Sequence, residues 1–266
     1  MAKSTYISAN LTEEQIKLLQ YLDAYEISYF SIPQLQQQYG NVKVTINELV
    51  ENLYQKDFLT RVERGIYAKS TFNNVAALAL FIAKKGSVAY WSALHHHGLT
   101  ERFPNTQFIK TPCRKRNTTI LGTTVKYVSV QPKKCIGEIT QGYGDNKITL
   151  TNIETTLIDC FDQPRYAGDF ENLIKAFAKA SLSAQKLISY TKAYNNMALT
   201  KRLGYLASLF HPIKLKTFTN YAQTQTNKKY NLLDAGGIEK GAFNSQWKLR
   251  LNVTEEAILK MEEDSY

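Results

Sequence analysis

The sequence predicts an α+β protein with a small N-terminal domain and a larger C-terminal domain of mixed α/β structure. Three observations support this prediction. Apolar residues recur at helical spacing before residue 57 and then alternate over residues 59–67. Beyond residue 71, a few short strand patterns mix with helical ones, and the second half of the chain has mainly helical periodicity. The 266 residues, 44% of them hydrophobic, suffice for two domains, which we place at 1–70 and 71–266.

Two helices are predicted to open the N-terminal domain. The first covers 11–25, with Thr12 as its N-cap, because a threonine side-chain oxygen can accept an otherwise unpaired backbone N–H. The second starts after Ser31, which can cap it, and contains Pro33 in its first turn. Gly40 is predicted to end it, since glycine adopts the backbone conformation common at helix C-termini.

The stretch 40–67 organises this domain. Apolar residues from Val42 to Leu53 fall on one helical stripe, and Asn41 is the predicted cap of this third helix. After Asp57 the pattern alternates, and Gly65 marks a tight turn between two short strands. Three helices followed by a hairpin are typical of a winged helix-turn-helix. The alternative is an ordinary amphipathic helix and hairpin in a small domain that does not bind DNA.

A winged helix of this layout binds DNA by placing its third helix in the major groove and its hairpin on flanking phosphates. Lys43 and Asn47, at the start of that helix, are predicted to read base edges, whereas Arg61 and Arg64 would neutralise phosphates. The second helix is predicted to contact the DNA backbone. The complete predicted set is Ser31, Gln36, Lys43, Thr45, Asn47, Arg61 and Arg64.

The C-terminal domain is predicted to start with a buried helix ended by Gly86 and a second helix ending near Gly98. Short strands follow, and then Asn152 caps a helix that begins the helical half. From Glu255 onward the chain is predicted to be a polar tail. The predicted strands are 106–111, 124–130, 148–150 and 247–253, and the later helices are 169–180, 184–194, 198–209 and 211–223.

The net charge of +10 is unevenly distributed. Residues 1–70 hold seven basic and eight acidic side chains, whereas residues 101–135 hold eight basic and one acidic. A basic chain favours a polyanionic or acidic partner, and surface lysines that are merely solvated are the alternative. We predict an exposed basic face on the C-terminal domain, formed by Lys110, Arg114, Lys115, Arg116 and Lys126.

The sequence predicts no catalytic residues, metal or cofactor. Ser–His–Asp order, a glycine-rich phosphate loop and paired metal-binding motifs are all absent from it. His95, His96 and His97 are consecutive, so on a helix they point about 100° apart and cannot share one ion. Asp159 is interpreted as a structural hydrogen-bonding group. The three cysteines are predicted to be reduced, buried thiols, and the lack of a long apolar run predicts a cytoplasmic protein without a membrane partner.

Five segments stand in a fixed order over nearly the whole chain: RGIY, YWSALHHHGLTERFP, IETTLIDCFDQPRYAGDFENLIKAF, TKRLGYLASL and GAFNSQWKLRLNV. In this order they resemble the AbiEi-type antitoxins of abortive-infection, type IV toxin–antitoxin systems. The resemblance implies a winged helix that binds inverted repeats in its own promoter and represses the operon. It also implies a C-terminal domain that neutralises a nucleotidyltransferase-like toxin without a stable complex. The slightly acidic balance of residues 1–70 departs from that pattern.

Two alternatives stay open. The chain can be a nuclease or transferase that its winged helix targets to nucleic acid. Such an enzyme needs acids that hold a divalent metal, and the candidates form no recognisable set. They are Asp145, Glu154, Asp159, Asp162, Asp169 and Glu171. Otherwise, the chain is an RNA- or protein-binding adaptor in which the basic face of residues 101–135 docks an acidic partner, and this role overlaps with that of an antitoxin.

Overall fold

The computed structural model describes residues 10–40 and 45–263 of the chain. Two compact units make up the protein, and it has the mixed α+β composition that the sequence predicts. The first unit extends beyond the predicted boundary at residue 70, because the apolar helix that follows belongs to it. The first unit is Met1–Ile82, Thr119–Thr123 and Gln141–Ile148, and the second is Ala83–Thr118, Thr124–Thr140 and Thr149–Tyr266.

The first unit joins its helices to a small antiparallel sheet with the strand order β1-β3-β2. Strand β1 was not predicted, since three residues are too few to show an alternating pattern. The turn between β2 and β3 contains Gly65 at a φ of +75°, a conformation that suits glycine. The elements are α1 (Glu13–Ala24), β1 (Tyr29–Ser31), α2 (Ile32–Tyr39), α3 (Ile46–Gln55), β2 (Leu59–Glu63), β3 (Ile66–Lys69) and α4 (Val75–Ala83).

Local signals explain where the first two helices begin. The Thr12 hydroxyl oxygen accepts the N–H of Gln15 at 3.3 Å, and the Gln15 side chain accepts the N–H of Thr12 at 3.1 Å. This reciprocal capping box confirms Thr12 as the N-cap of α1. Ser31 precedes α2 as predicted, and its N–H and hydroxyl both donate to the Gln34 side chain.

A hydrophobic core joins α1, α2, α3 and the sheet of the first unit. The predicted apolar stripe of α3 is buried from Ile46 to Leu53 and packs against α1, α2 and β2. The core residues are Leu18, Leu22, Phe30, Leu35, Ile46, Leu49, Val50, Leu53, Leu59 and Tyr67. Because its apolar side is used in this core, α3 presents a polar side to solvent.

A mixed six-stranded sheet has the strand order β6-β7-β5-β4-β9-β8, and its strands β4 and β5 and nearly all of β7 lie in the second unit. Strand β5 is central; it pairs with β7 in parallel and with β4 in antiparallel orientation. The predicted strands 106–111, 124–130 and 148–150 are found within a residue at each end. The strands are β4 (Ser87–Val88), β5 (Thr106–Thr111), β6 (Thr118–Ile120), β7 (Thr123–Ser129), β8 (Glu138–Gln141) and β9 (Ile148–Thr151).

The rest of the second unit is mainly helical, as predicted. A small sheet in the order β10-β12-β11 follows α10. The helices are α5 (Tyr90–His96), α6 (Ile153–Asp162), α7 (Phe170–Lys179), α8 (Ala184–Tyr194), α9 (Met197–Phe210), α10 (Lys216–Thr224) and α11 (Glu255–Glu263). The small sheet consists of β10 (Asn231–Leu232), β11 (Ala242–Asn244) and β12 (Leu249–Leu251).

The predicted polar tail from Glu255 is wrong. Residues Glu255–Glu263 form α11, whose Ile258 is completely buried in the core of the second unit. The Tyr205 hydroxyl donates to the Glu255 carboxylate at 3.1 Å, which attaches the start of this helix to α9. Glutamates at both ends of the segment suggested a solvated tail, but its apolar residues Ile258 and Met261 pack in the core of the second unit.

Close packing between α9, α10 and Trp247 depends on Gly204. A Cβ at this position would lie 2.5 Å from the Trp247 ring and 2.6 Å from the Ala222 Cβ. We expect Gly204→Ala to lower the free energy of unfolding, because overpacking costs about 1–3 kcal/mol. The gain in helix propensity is smaller, about 1 kcal/mol. Chemical denaturation measures the difference.

Gly236→Ala is the matched control. The nearest atom to a Cβ at Gly236 is 3.6 Å away, an ordinary contact distance. We expect its free energy of unfolding to change by no more than about 0.5 kcal/mol. Equal losses for the two alanine variants would show that packing at Gly204 is not the cause.

Candidate functional site

The start of α3 is the first part of the predicted DNA-binding surface. Thr45 caps this helix, with its hydroxyl oxygen 3.4 Å from the N–H of Glu48 and the Glu48 carboxylate accepting the N–H of Thr45. The helix therefore begins at Ile46, and the prediction of Asn41 as its cap is wrong. The sequence signal was present, because threonine with glutamate three residues later is a capping box. Asn41 and Lys43 themselves lie outside the described residues.

Asn47 is exposed in the first turn of α3, next to the buried Ile46. Thr45 is also exposed, but its hydroxyl already serves the helix cap. On α2, Gln36 is exposed, whereas Ser31 is half-buried and occupied with Gln34. The side chains of Asn47 and Gln36 are thus available to a ligand. Those of Thr45 and Ser31 are already hydrogen-bonded at the starts of their helices.

The hairpin β2–β3 carries the two predicted phosphate-binding arginines. Arg61 lies within β2 opposite Tyr67, and Arg64 lies in the turn beside Gly65. Both arginines are exposed, while their neighbour Val62 is buried. The buried residues of β2, Leu59 and Val62, are three positions apart, and the pairing register shifts between Arg61 and Glu63. The predicted alternation is therefore broken within β2, and both guanidinium groups lie in solvent.

Several acids of this unit already have partners. Glu13 and Asp23 pair with Lys17 and Lys69, at 2.7 and 2.6 Å. Glu51 accepts a hydrogen bond from the Tyr67 hydroxyl at 3.1 Å. Part of the slightly acidic balance of residues 1–70 is therefore carried by carboxylates that are already paired within this unit.

The predicted basic face of the second unit is only partly at the surface. Lys110 is completely buried, so its inclusion in that face is wrong. It lies on the central strand β5. The neighbouring strands β7 and β4, and the helices packed against the sheet, exclude solvent from its side chain. Arg114 and Arg116 are exposed in the loop after β5.

Two other members of the basic face lie over aromatic rings. The Lys115 ammonium is 5.8 Å from the centre of the Tyr127 ring, and that of Lys126 is 5.9 Å from the Phe108 ring. Both side chains are half-buried. Their stems cover apolar surface, while the ammonium groups remain close to water.

Lys110 belongs instead to a buried polar network. Its Nζ lies 2.7 Å from a carboxylate oxygen of Asp159 on α6, and 3.1 Å from the backbone oxygen of Lys134. The Tyr194 hydroxyl donates to the other Asp159 oxygen. Complete burial raises the pKa of Asp159, and the Lys110 charge with these two hydrogen bonds opposes the rise. Asp159 is thus the structural hydrogen-bonding group that the sequence analysis inferred.

Three other candidate acids of the second unit, Glu154, Asp162 and Asp169, also have structural partners. Glu154 accepts the N–H of Ser183 at 3.0 Å, and Asp169 caps α7 through the N–H of Asn172. Asp162 accepts from Lys134 at 2.6 Å. Among the described residues, no group of three or more His, Cys, Asp or Glu side chains is arranged to hold a metal ion.

The histidines and cysteines are placed separately. His97 has its Nε2 2.7 Å from the backbone oxygen of Thr151, and His95 packs against the Phe103 ring at 4.5 Å. Cys160 is buried and Cys135 half-buried, but Cys113 is exposed, so the prediction of three buried thiols is wrong for Cys113. In the part of the chain that the structure covers, none of the helices is both long and apolar enough to cross a bilayer.

Comparison with known proteins identifies a chain of the same fold. The chain matches no protein-family model and no curated protein sequence. It is similar in structure to the RV2827C protein from Mycobacterium tuberculosis, with a TM-score of 0.66 and 12% sequence identity. The match covers 96% of each chain. At this identity the likeness establishes that the two chains share a fold along nearly their whole length.

Proposed function

We propose that the first unit is a winged helix-turn-helix that binds operator DNA. The observation that carries this proposal is the order α1-β1-α2-α3-β2-β3 with the strand order β1-β3-β2. In such a unit α3 is the recognition helix and the hairpin is the wing. Asn47 on α3 and Arg61 and Arg64 on the wing are all exposed, which this use of the unit requires.

We further propose that the protein is the antitoxin and transcriptional autorepressor of a type IV toxin–antitoxin system. The five ordered segments that resemble AbiEi-type antitoxins support this assignment. Operator DNA with inverted repeats would be one partner. A nucleotidyltransferase-like toxin would be the functional partner, neutralised in the cytoplasm by the second unit without catalysis and without a stable complex.

Binding of the full chain to DNA from upstream of its own gene tests the first part of this proposal. We expect Asn47→Ala to weaken that binding by about 1–3 kcal/mol, the range for one base contact. It should also relax the preference for this DNA over a scrambled duplex, because phosphate contacts carry no sequence information. Titrations of both duplexes with both proteins measure the two effects.

Asn52→Ala is the matched control, since Asn52 is an exposed asparagine on the same helix five residues further on. Five residues rotate the side chain by about 140° around the helix axis. We expect this variant to bind both duplexes as the unchanged protein does. If the protein itself did not prefer the upstream duplex, the proposal of an operator-binding repressor would be overturned.

A further inference from the structure

A cleft of about 490 Å³ lies within the second unit. It opens where the 131–134 segment, the start of α9 and the 227–231 segment meet. Cavities of this size hold small ligands in other proteins. The DNA-binding and antitoxin proposals make no use of it, so it is a candidate site in its own right.

The lining of the cleft has an excess of positive charge. Lys133, Lys134 and Lys229 line it, against one carboxylate, that of Asp162. Asp162 is already neutralised, because it accepts from Lys134 at 2.6 Å and from the Asn196 side chain at 2.9 Å. Lys133 and Lys229 are exposed, and within the described residues neither has an acidic partner. Their two charges therefore remain available to an anion.

A further lysine lies buried under the cleft. Lys201 is completely inaccessible to solvent, and its Nζ donates to the side-chain oxygen of Asn227 at 2.7 Å and to the backbone oxygen of Lys229 at 2.5 Å. A third bond, at 3.2 Å, goes to Asn231. All three acceptors are uncharged, and they belong to the segment that lines the cleft. Lys201 thus fixes one wall of the cleft.

Within residues 10–40 and 45–263, no acid balances the charge of Lys201. Burial lowers its pKa, and the nearby charges of Lys229, Arg202 and Lys248 lower it further. A buried cation without a counter-ion is unfavourable in a protein interior. An anion bound above it would reduce that penalty.

The start of α9 adds to this positive potential. Asn196 caps the helix by accepting the N–H of Leu199 at 3.2 Å, and Met197 and Ala198 of the first turn line the cleft. The N-terminus of a helix carries a partial positive charge from its unpaired N–H groups. It acts here together with the lysines and the buried cation.

The cleft also offers groups suited to an uncharged part of a ligand. Asn195 presents a side-chain amide that can both donate and accept hydrogen bonds, and Asn231, whose oxygen accepts from Lys201, presents its NH2 group as a donor. Met197 is half-exposed and supplies an apolar, polarisable surface on which a flat ring can rest. Positive charge on one part of the lining, with amides and a thioether on another, matches a phosphate chain attached to a nucleoside.

We propose that this cleft binds a ribonucleoside triphosphate, with its phosphates held by Lys133 and Lys229. All residues that line the cleft belong to the second unit. The proposal of a triphosphate site therefore does not depend on DNA binding by the first unit. Lys201 is a positioning residue in this assignment, because it acts through Asn227, Lys229 and Asn231.

Calorimetric titration of the full chain tests the proposal, with ATP, CTP, GTP and UTP as separate probes. At least one triphosphate is expected to bind with one site per chain. Adenosine and the other unphosphorylated nucleosides should not bind, and inorganic pyrophosphate should bind more weakly than the best triphosphate. We expect Lys133→Ala together with Lys229→Ala to weaken that triphosphate by about tenfold or more, the loss of a charge-assisted hydrogen bond.

Lys216→Ala with Lys240→Ala is the control, since it removes two exposed lysines of the same unit that do not line the cleft. Its affinity for the triphosphate should be unchanged. The proposal is overturned if none of the four triphosphates binds, or if the two double variants lose affinity equally. Pyrophosphate binding as tightly as any triphosphate would also overturn it, as would binding of only a short single-stranded oligonucleotide.

Discussion

Lys110→Met is expected to lower the free energy of unfolding by about 3–5 kcal/mol, the range for removing one partner of a buried ion pair. The side chains of Lys110 and Asp159 are 0% and 2% exposed, so water cannot replace the lost ammonium. Methionine has nearly the length of lysine and retains most of the packing. Chemical denaturation followed by tryptophan fluorescence measures the loss.

Lys175→Met serves as the control for this variant. Lys175 pairs with Glu171 at 2.8 Å on the surface of α7, four residues away, with 27% and 48% of the two side chains exposed. Such a pair contributes no more than about 0.5 kcal/mol. Similar losses for the two methionine variants would contradict the assignment of Lys110 to a buried network.

The pH dependence provides a second check on the same variant. Burial already raises the pKa of Asp159, and without the Lys110 ammonium it should rise further above the ordinary value of 3.8. A carboxyl group whose pKa is higher in the folded state favours folding in its protonated form. The stability deficit of Lys110→Met should therefore shrink as the pH falls toward 3.8 and grow as it rises. A deficit that grows on acidification would contradict this account.

Adding Asp159→Leu to Lys110→Met should recover stability. Replacing both partners of a buried pair by apolar groups removes the unpaired charge, which is the main source of the loss. The Tyr194 hydroxyl keeps the backbone oxygen of Lys134, at 3.4 Å, as a second acceptor. We expect the double variant to be more stable than Lys110→Met alone. A double variant that loses the sum of both single losses would show that the two residues act independently.

Replacing both wing arginines by alanine is expected to produce the largest change in DNA binding. Arg61→Ala with Arg64→Ala removes two exposed guanidinium groups from the hairpin β2–β3. If both contact phosphates, the slope of log affinity against log salt should become shallower by about 2, since each contact contributes about 0.9. Titration of the upstream duplex over a range of salt concentrations measures the slope. The weakening should be similar on scrambled DNA, because the lost contacts are to the backbone.

The control for net charge is Lys17→Ala with Lys216→Ala. Lys17 is about half-exposed on α1 and paired with Glu13, and Lys216 is exposed on α10. This variant loses the same two charges without touching the hairpin. It should retain most of the affinity and of the salt slope. If both double variants behaved alike, the net charge of the protein would explain the effect and the wing assignment would be wrong.

The wing variant also separates the two proposed roles in cells. Repression of a reporter placed behind the upstream DNA should be lost, while rescue of growth beside the toxin should persist, because neutralisation is assigned to the second unit. Loss of both functions, with unchanged protein levels, would contradict that division.

Predictions from local sequence were accurate where the signal is contained within a few residues. Thr12 and Asn152 cap their helices because a short polar side chain meets the N–H three residues later. The α3 stripe is buried because its spacing selects one side of the helix. Strand β5 was located in full at 106–111. The error in the cap of α3 could also have been avoided from local sequence, because Thr45 and Glu48 form a capping-box pattern and Asn41 has no glutamate three residues later.

The shortest strands and the proposed cleft could not be predicted from local sequence patterns. Strand β4 has two residues and β6 has three, which is too short for an alternating pattern to appear. Strand β4 forms by pairing with β5 and β9 on its two sides, and β6, at the edge of the sheet, forms by pairing with β7. The proposed cleft likewise combines residues near 133, 196 and 229, and no spacing in the sequence indicates that these segments meet.

The sequence by itself determined the α+β composition, most helices of both units, the β2–β3 hairpin and the exposure of Asn47. These follow from periodicity and turn chemistry, which act over a few neighbouring residues. Only the tertiary structure decided that Lys110 is a buried ion-pair partner and that the final acidic segment packs as α11. The physical reason is that solvent exclusion at both places comes from elements distant in the chain, which local sequence does not encode.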